Sequence, residues 1–148
     1  VSAVIVKREV AEEAVKCGFH YAQSHQNDPL GCRVAYEVLR KIEKNHLLQH
    51  VSEQSDYFVE GYQRLNTKIP VIAEMMGGGW RLCVGLKREI AAECMCMIEE
   101  ALFDRGMIVA VMPADRVIRT YCPLIISKDM IDSYLAALES VLSLCLHK

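Results

Sequence analysis

The feature that most restricts the fold of this 148-residue chain is the run Gly77-Gly78-Gly79, set between the apolar stretches 70–75 and 80–86. Glycine frees the backbone for the positive φ that tight hairpins require, so strands on either side of the run pair antiparallel. The run is no phosphate loop, because no Lys-Ser/Thr pair follows it and it opens no helix. Strand patterning returns at residues 107–112 and 116–121, with Pro113-Ala114-Asp115 as the turn between them. Residues 1–6, β-branched and apolar on both faces, read as a buried strand suited to the edge of a different, larger sheet.

Helical periodicity fills most of the rest. Residues 7–16 carry helix formers that end near Gly18. Asp28 is a good N-cap and Pro29 suits the first helical position, and from there Leu30, Val34, Val38, Leu39 and Ile42 recur at helical spacing to about Asn45. Arg40, Lys41 and Lys44 sit near that helix's end, where cations suit the macrodipole. Residues 47–68 repeat the pattern through Leu48, Val51, Tyr57, Phe58, Tyr62 and Leu65, although Gly61 inside it costs about 1 kcal/mol relative to alanine. Residues 88–104 form a helix closed by Gly106, and Ser127 caps a last helix whose stripe of Ile131, Tyr134, Leu135, Leu138, Val141, Leu142 and Cys145 must pack on the sheet. The expected fold class is α/β, a small mainly antiparallel sheet covered by helices.

Composition narrows the function classes. A net charge of −2 gives no general attraction to nucleic acid or to an anionic membrane. The longest apolar runs fall far short of the roughly 20 residues that a membrane span needs. Seven cysteines, an odd number scattered through apolar stretches, read as reduced and mostly buried thiols rather than a disulfide framework. The expected compartment is therefore reducing: the cytoplasm, with the mitochondrial matrix left open. Cys94-Met95-Cys96 invites a metal reading, but residues two apart on a helix point to different faces, so core packing is favoured and no metal is expected.

The polar loop Ser24-His25-Gln26-Asn27-Asp28 holds the first candidate site. A hydroxyl beside free amides at a helix N-terminus can donate to a phosphate, and the plain alternative is a solvated loop serine. His20 and His25 flank this stretch, whereas His46, His50 and His147 sit on helix faces or ends and are expected in solvent. Arg119 lies on a strand of alternating pattern, where its guanidinium can grip a carboxylate at two points or pair with a neighbouring acidic side chain.

Taken in order, these pieces resemble the class III pyridoxal-phosphate-dependent aminotransferases, the ornithine, acetylornithine and omega-amino-acid group. Val1-Ser2-Ala3-Val4 is similar to that family's Pro-Leu-Ser-Ala-Val strand. Gly18-Phe19-His20, then Ser24 to Leu30, then Ile42-Glu43 follow its Gly-Phe-x-His, Thr, Asn-Pro-Leu and Ile-Glu order. Val117-Ile118-Arg119-Thr120-Tyr121-Cys122-Pro123-Leu124 resembles its Ile-Arg-x-x-Pro-Pro-Leu. Two places depart: the hairpin has Gly78 where the family usually has arginine, and Cys122 replaces the first proline of the terminal pair.

The resemblance implies the C-terminal part of such an enzyme, with residues 1–27 the last strand, helix and loop of the cofactor domain. Residues 28–148 would be the small domain of the fold type I transferases. It further implies pyridoxal 5'-phosphate as cofactor, with Ser24 and His25 beside it and the Ser24 hydroxyl reaching across a homodimer interface to the partner's cofactor phosphate. Arg119 would hold the substrate carboxylate. The reaction implied is transfer of an amino group from an amino acid or amine to a keto acid. Because the family's Schiff-base lysine would precede Val1, the chain alone is expected to be inactive. Two rivals stand beside this reading: a non-enzymatic dimerisation or regulatory module of the same fold, and aminomutase or decarboxylase chemistry on the same scaffold.

Overall fold

The computed structural model describes residues 2–146; Val1 and His147, named above, lie outside the described residues. The chain divides into two compact units, Val1–Asn45 and His46–Lys148. In the first unit, α1 spans Arg8–Lys16 and α2 spans Pro29–Lys44. The Asp28 carboxylate accepts from the Leu30 amide at 2.9 Å and Pro29 stands at the first helical position, as the capping pattern requires. Neither helix buries a residue.

The strand expected at residues 1–6, for the edge of a different and larger sheet, has no partner among the described residues. Residues 2–6 belong to no ladder among the described residues, and Val4 and Ile5 are 90% and 95% exposed. β-branched residues favour extended backbone, but a strand exists only as half of a hydrogen-bonded pair, and no described segment supplies the other half.

The second unit runs α3 (Leu47–Lys68), β1 (Ile72–Gly78), β2 (Arg81–Leu86), α4 (Ala92–Phe103), β3 (Ala110–Met112), β4 (Val117–Tyr121) and α5 (Lys128–Leu146). The strands form one antiparallel sheet in the order β1-β2-β4-β3, because the excursion through α4 and β3 lets β4 return against β2. Helix α5 packs on α3 and α4, and α4 on β3. Leu82, Val84, Ile118 and Val111 turn one sheet face inward to meet Phe58, Tyr62, Ile98, Leu102, Ile131, Leu138 and Leu142. The small antiparallel sheet covered by helices is thus the fold that forms.

Several details differ from the sequence expectation. The hairpin turn is Gly79-Trp80 rather than the glycine run: Gly78 pairs with Arg81 and Gly77 with Leu82, and Gly79 takes φ +57° at the first turn position. Ser55 on α3 holds this turn through a 3.0 Å bond to the Gly79 carbonyl. Helix α4 begins at Ala92, not at residue 88, because the Ile90 carbonyl is taken by the Arg116 Nε at 2.8 Å and Ala91 is extended. His50 is not a solvated histidine: its Nε2 lies 2.9 Å from the Ile126 carbonyl. Nor are the thiols mostly buried, since Cys17, Cys32 and Cys96 are exposed while Cys94 is buried.

Inside the core, the Tyr62 and Tyr134 hydroxyls hydrogen-bond each other at 2.9 Å. Burial pushes both phenols above their ordinary value of 10.0, Tyr62 well above it. The folded state therefore keeps protons that the unfolded chain releases, so the stability these phenols contribute is whole below pH 10.0 and is lost as pH rises beyond it. Denaturant midpoints measured from about pH 9 to about pH 12 are expected to fall, and to fall less steeply when Tyr62→Phe and Tyr134→Phe are combined.

Candidate functional site

In the first unit, Ser24 and His25 sit on an exposed turn before α2 in which His25 and Asn27 take left-handed φ of 64° and 57°. The turn is closed by the Gln26 amide on the Gln23 carbonyl at 3.1 Å and the Asp28 amide on the His25 carbonyl at 3.2 Å. The Ser24 hydroxyl makes no hydrogen bond among the described residues and is open to donate. The helix amides beside it are mostly spent: Pro29 has none, Leu30 bonds the Asp28 carboxylate and Cys32 bonds the Asp28 carbonyl at 2.9 Å. This corrects the expectation of free first-turn amides, since a carboxylate occupies the pole that an anion would use. The loop can contribute one hydroxyl to a phosphate but is not itself a cradle.

His25 is a weaker donor. Its Nδ1 lies 3.4 Å from an Asp28 carboxylate oxygen, which turns that edge of the ring away from a phosphate beside Ser24.

In the second unit, strand register decides what surrounds Arg119. Directly opposed residues share a face, so Arg119 on β4 stands beside Cys83 of β2, Met76 of β1 and Ala110 of β3. One register step away, Tyr121 opposes Arg81, and Arg81 in turn opposes Gly78. Arg81, Arg119, Tyr121, Met76 and Ala110 are all exposed, so this is the sheet face that the helices leave open. Arg119 forms no ion pair among the described residues, which leaves its planar donor fork available for a carboxylate. The alternative of a neighbouring acidic partner is not what the structure shows.

Arg81, exposed opposite Tyr121 on the same face, is a further candidate that residue patterning alone does not single out. Gly78 stands where the resembled family carries arginine, and the hairpin places Arg81 directly across the strand pair from it, on the open face. The signal was present as hairpin spacing. That spacing places Arg81 opposite Gly78 only when the turn is the two residues Gly79-Trp80.

The fold of this chain aligns with parts of solved aminotransferase structures. A Bacillus anthracis aminotransferase aligns over 84% of this chain and 30% of its own length with a TM-score of 0.75 at 18% identity. A transaminase crystallised with L-alanine aligns over 92% and 34% with a TM-score of 0.75 at 25% identity. Residues 1–142 match the class-III aminotransferases, and the chain belongs to that family. The acetylornithine aminotransferase of Caldanaerobacter subterraneus subsp. tengcongensis is 30% identical over 97% of this chain, and that of Aquifex aeolicus 32% identical over 96%. The chain spans 34% of the length of each, about a third of these curated relatives.

Proposed function

We propose that this chain is the C-terminal portion of a pyridoxal-phosphate-dependent aminotransferase that moves an amino group from an amino acid or amine to a keto acid. In this reading residues 1–27 belong to the cofactor domain and residues 28–148 are the small domain. The observation that carries the reading is the unpaired Arg119 on the open sheet face, at the position where the resembled family holds the substrate carboxylate. Family membership over residues 1–142 supports it.

The residues present fit a contribution to the cofactor site rather than the whole of it. When bound, pyridoxal phosphate supplies the electron sink of the reaction. Ser24 supplies one hydroxyl, which in a homodimer would reach the phosphate held by the partner subunit. His25 lies beside it with its Nδ1 edge turned to Asp28. Arg119 orients the substrate, because its two parallel N–H groups fix both the position and the plane of a carboxylate.

In the full-length enzyme, Ser24→Ala is expected to loosen cofactor retention by roughly ten- to a hundredfold, the worth of one charge-assisted hydrogen bond, while Ser24→Thr preserves it. Equilibrium cofactor titration checks this, and unchanged retention in Ser24→Ala makes Ser24 an ordinary loop serine. Arg119→Lys is expected to impair turnover of amino acids far more than of simple amines, since lysine lacks the two-point grip. Equal losses for both donor classes in steady-state kinetics would assign Arg119 a structural role instead.

A further inference from the structure

We infer that the second unit carries a binding cleft for the head group of a free α-amino acid, one that Arg119 does not line. The cleft has a volume of about 590 Å³ and is walled by Ala73 and Glu74 of β1, Lys87 and Arg88 after β2, and Asp115 and Arg116 before β4. That volume lies within the roughly 300–1,000 Å³ typical of small-molecule sites.

Two irregularities shape the cleft. The β1–β2 ladder shifts register between Ile72, which pairs with Leu86, and Glu74, which pairs with Gly85. In an unbroken strand residues 72 and 74 would share a face; the bulge at Ala73 leaves Ile72 buried and turns Glu74 outward. Gly85 makes room for it, since a Cβ there would stand 3.0 Å from the Glu74 Cγ and 3.3 Å from its Oε1. On the opposite wall Arg116 takes a left-handed φ of 57°, and its Nε is tied to the Ile90 carbonyl at 2.8 Å, which anchors the guanidinium while sparing its two terminal nitrogens.

The cleft thus holds three cations, Lys87, Arg88 and Arg116, and two carboxylates, Glu74 and Asp115. None of the five forms an ion pair among the described residues. A ligand bearing ammonium and carboxylate on one carbon satisfies both signs, whereas a simple anion meets the two carboxylates as repulsion.

The test titrates the 148-residue chain with L-alanine, acetate and methylammonium while the Arg116 Nε–H resonance is followed by NMR. Alanine is expected to move that resonance saturably at a concentration at least roughly tenfold below acetate, the gain from engaging the second charge, with methylammonium no better than acetate. Combining Glu74→Gln with Asp115→Asn should bring alanine to the level of acetate, and Arg119→Gln should leave the alanine titration unchanged. Equal effects of alanine and acetate, no saturation, or an alanine titration untouched by the double variant overturns the inference. Loss of the alanine effect in Arg119→Gln also overturns it, and leaves the Arg119 carboxylate reading standing.

Discussion

Gly77→Ala is expected to destabilise the second unit by at least about 3 kcal/mol, with loss of the β1–β2 hairpin. Gly77 holds φ +97°, a conformation that L side chains rarely adopt, and a Cβ there would be driven into the Arg81 carbonyl oxygen. The obstacle is backbone on the paired strand, so no rotamer change relieves it. Gly78→Ala is the matched control: a Cβ at that position meets nothing within 4 Å and its φ is not left-handed, so the change should stay within about 0.5 kcal/mol. Urea denaturation of the two variants decides the point. A small loss at Gly77 would mean that the hairpin turns by some other route. Because β2 lies between β1 and β4, the Gly77 variant should also disturb the Arg81 and Cys83 rows of the open face.

Phe58→Ala is expected to cost about 3–5 kcal/mol. Phe58 is 1% exposed on α3, its ring stacked on Tyr62 at 4.9 Å and set edge-on to Tyr134 of α5 at 5.4 Å. Removing the ring leaves a cavity at the α3–α5 contact and takes away two aromatic partners at once. Tyr62→Phe probes the same cluster by another term: shape is kept, but the Tyr134 hydroxyl loses its partner, for a cost of about 1–3 kcal/mol. Thermal and urea unfolding should rank Phe58→Ala below Tyr62→Phe in stability. The reverse order would show that polar satisfaction, not packing, holds the two helices together.

What was legible in the sequence is local. Asp28 and Pro29 open α2 where the capping pattern places it, α3 spans Leu47–Lys68, and the Ser127 hydroxyl accepts from the Met130 amide at 3.3 Å at the start of α5. Each signal works within one helical turn, through a side chain and the amides beside it, so neighbouring residues suffice to encode it. The antiparallel pairing of β1 with β2 and of β3 with β4 was legible for the same reason, since a short glycine-bearing and a short proline-bearing turn join them.

What tertiary structure decided involves groups far apart in the chain. Gly61 reads in sequence as a helix defect, yet a Cβ there would be forced into the Leu135 side chain, so the glycine is where α5 closes on α3. Helix α4 loses its expected first turn because a carbonyl at Ile90 is claimed by Arg116, 26 positions along. The bulge that turns Glu74 outward, the pairing of Arg119 with Cys83 and the placing of Arg81 opposite Gly78 all depend on register. A side-chain period of two makes any one-residue change of register reverse the face of every residue after it. Sequence thus determined most of the helices, the strands of the second unit and which residue types could do chemistry, while strand register, a property of two segments and not of either alone, decided which of those residues share a surface.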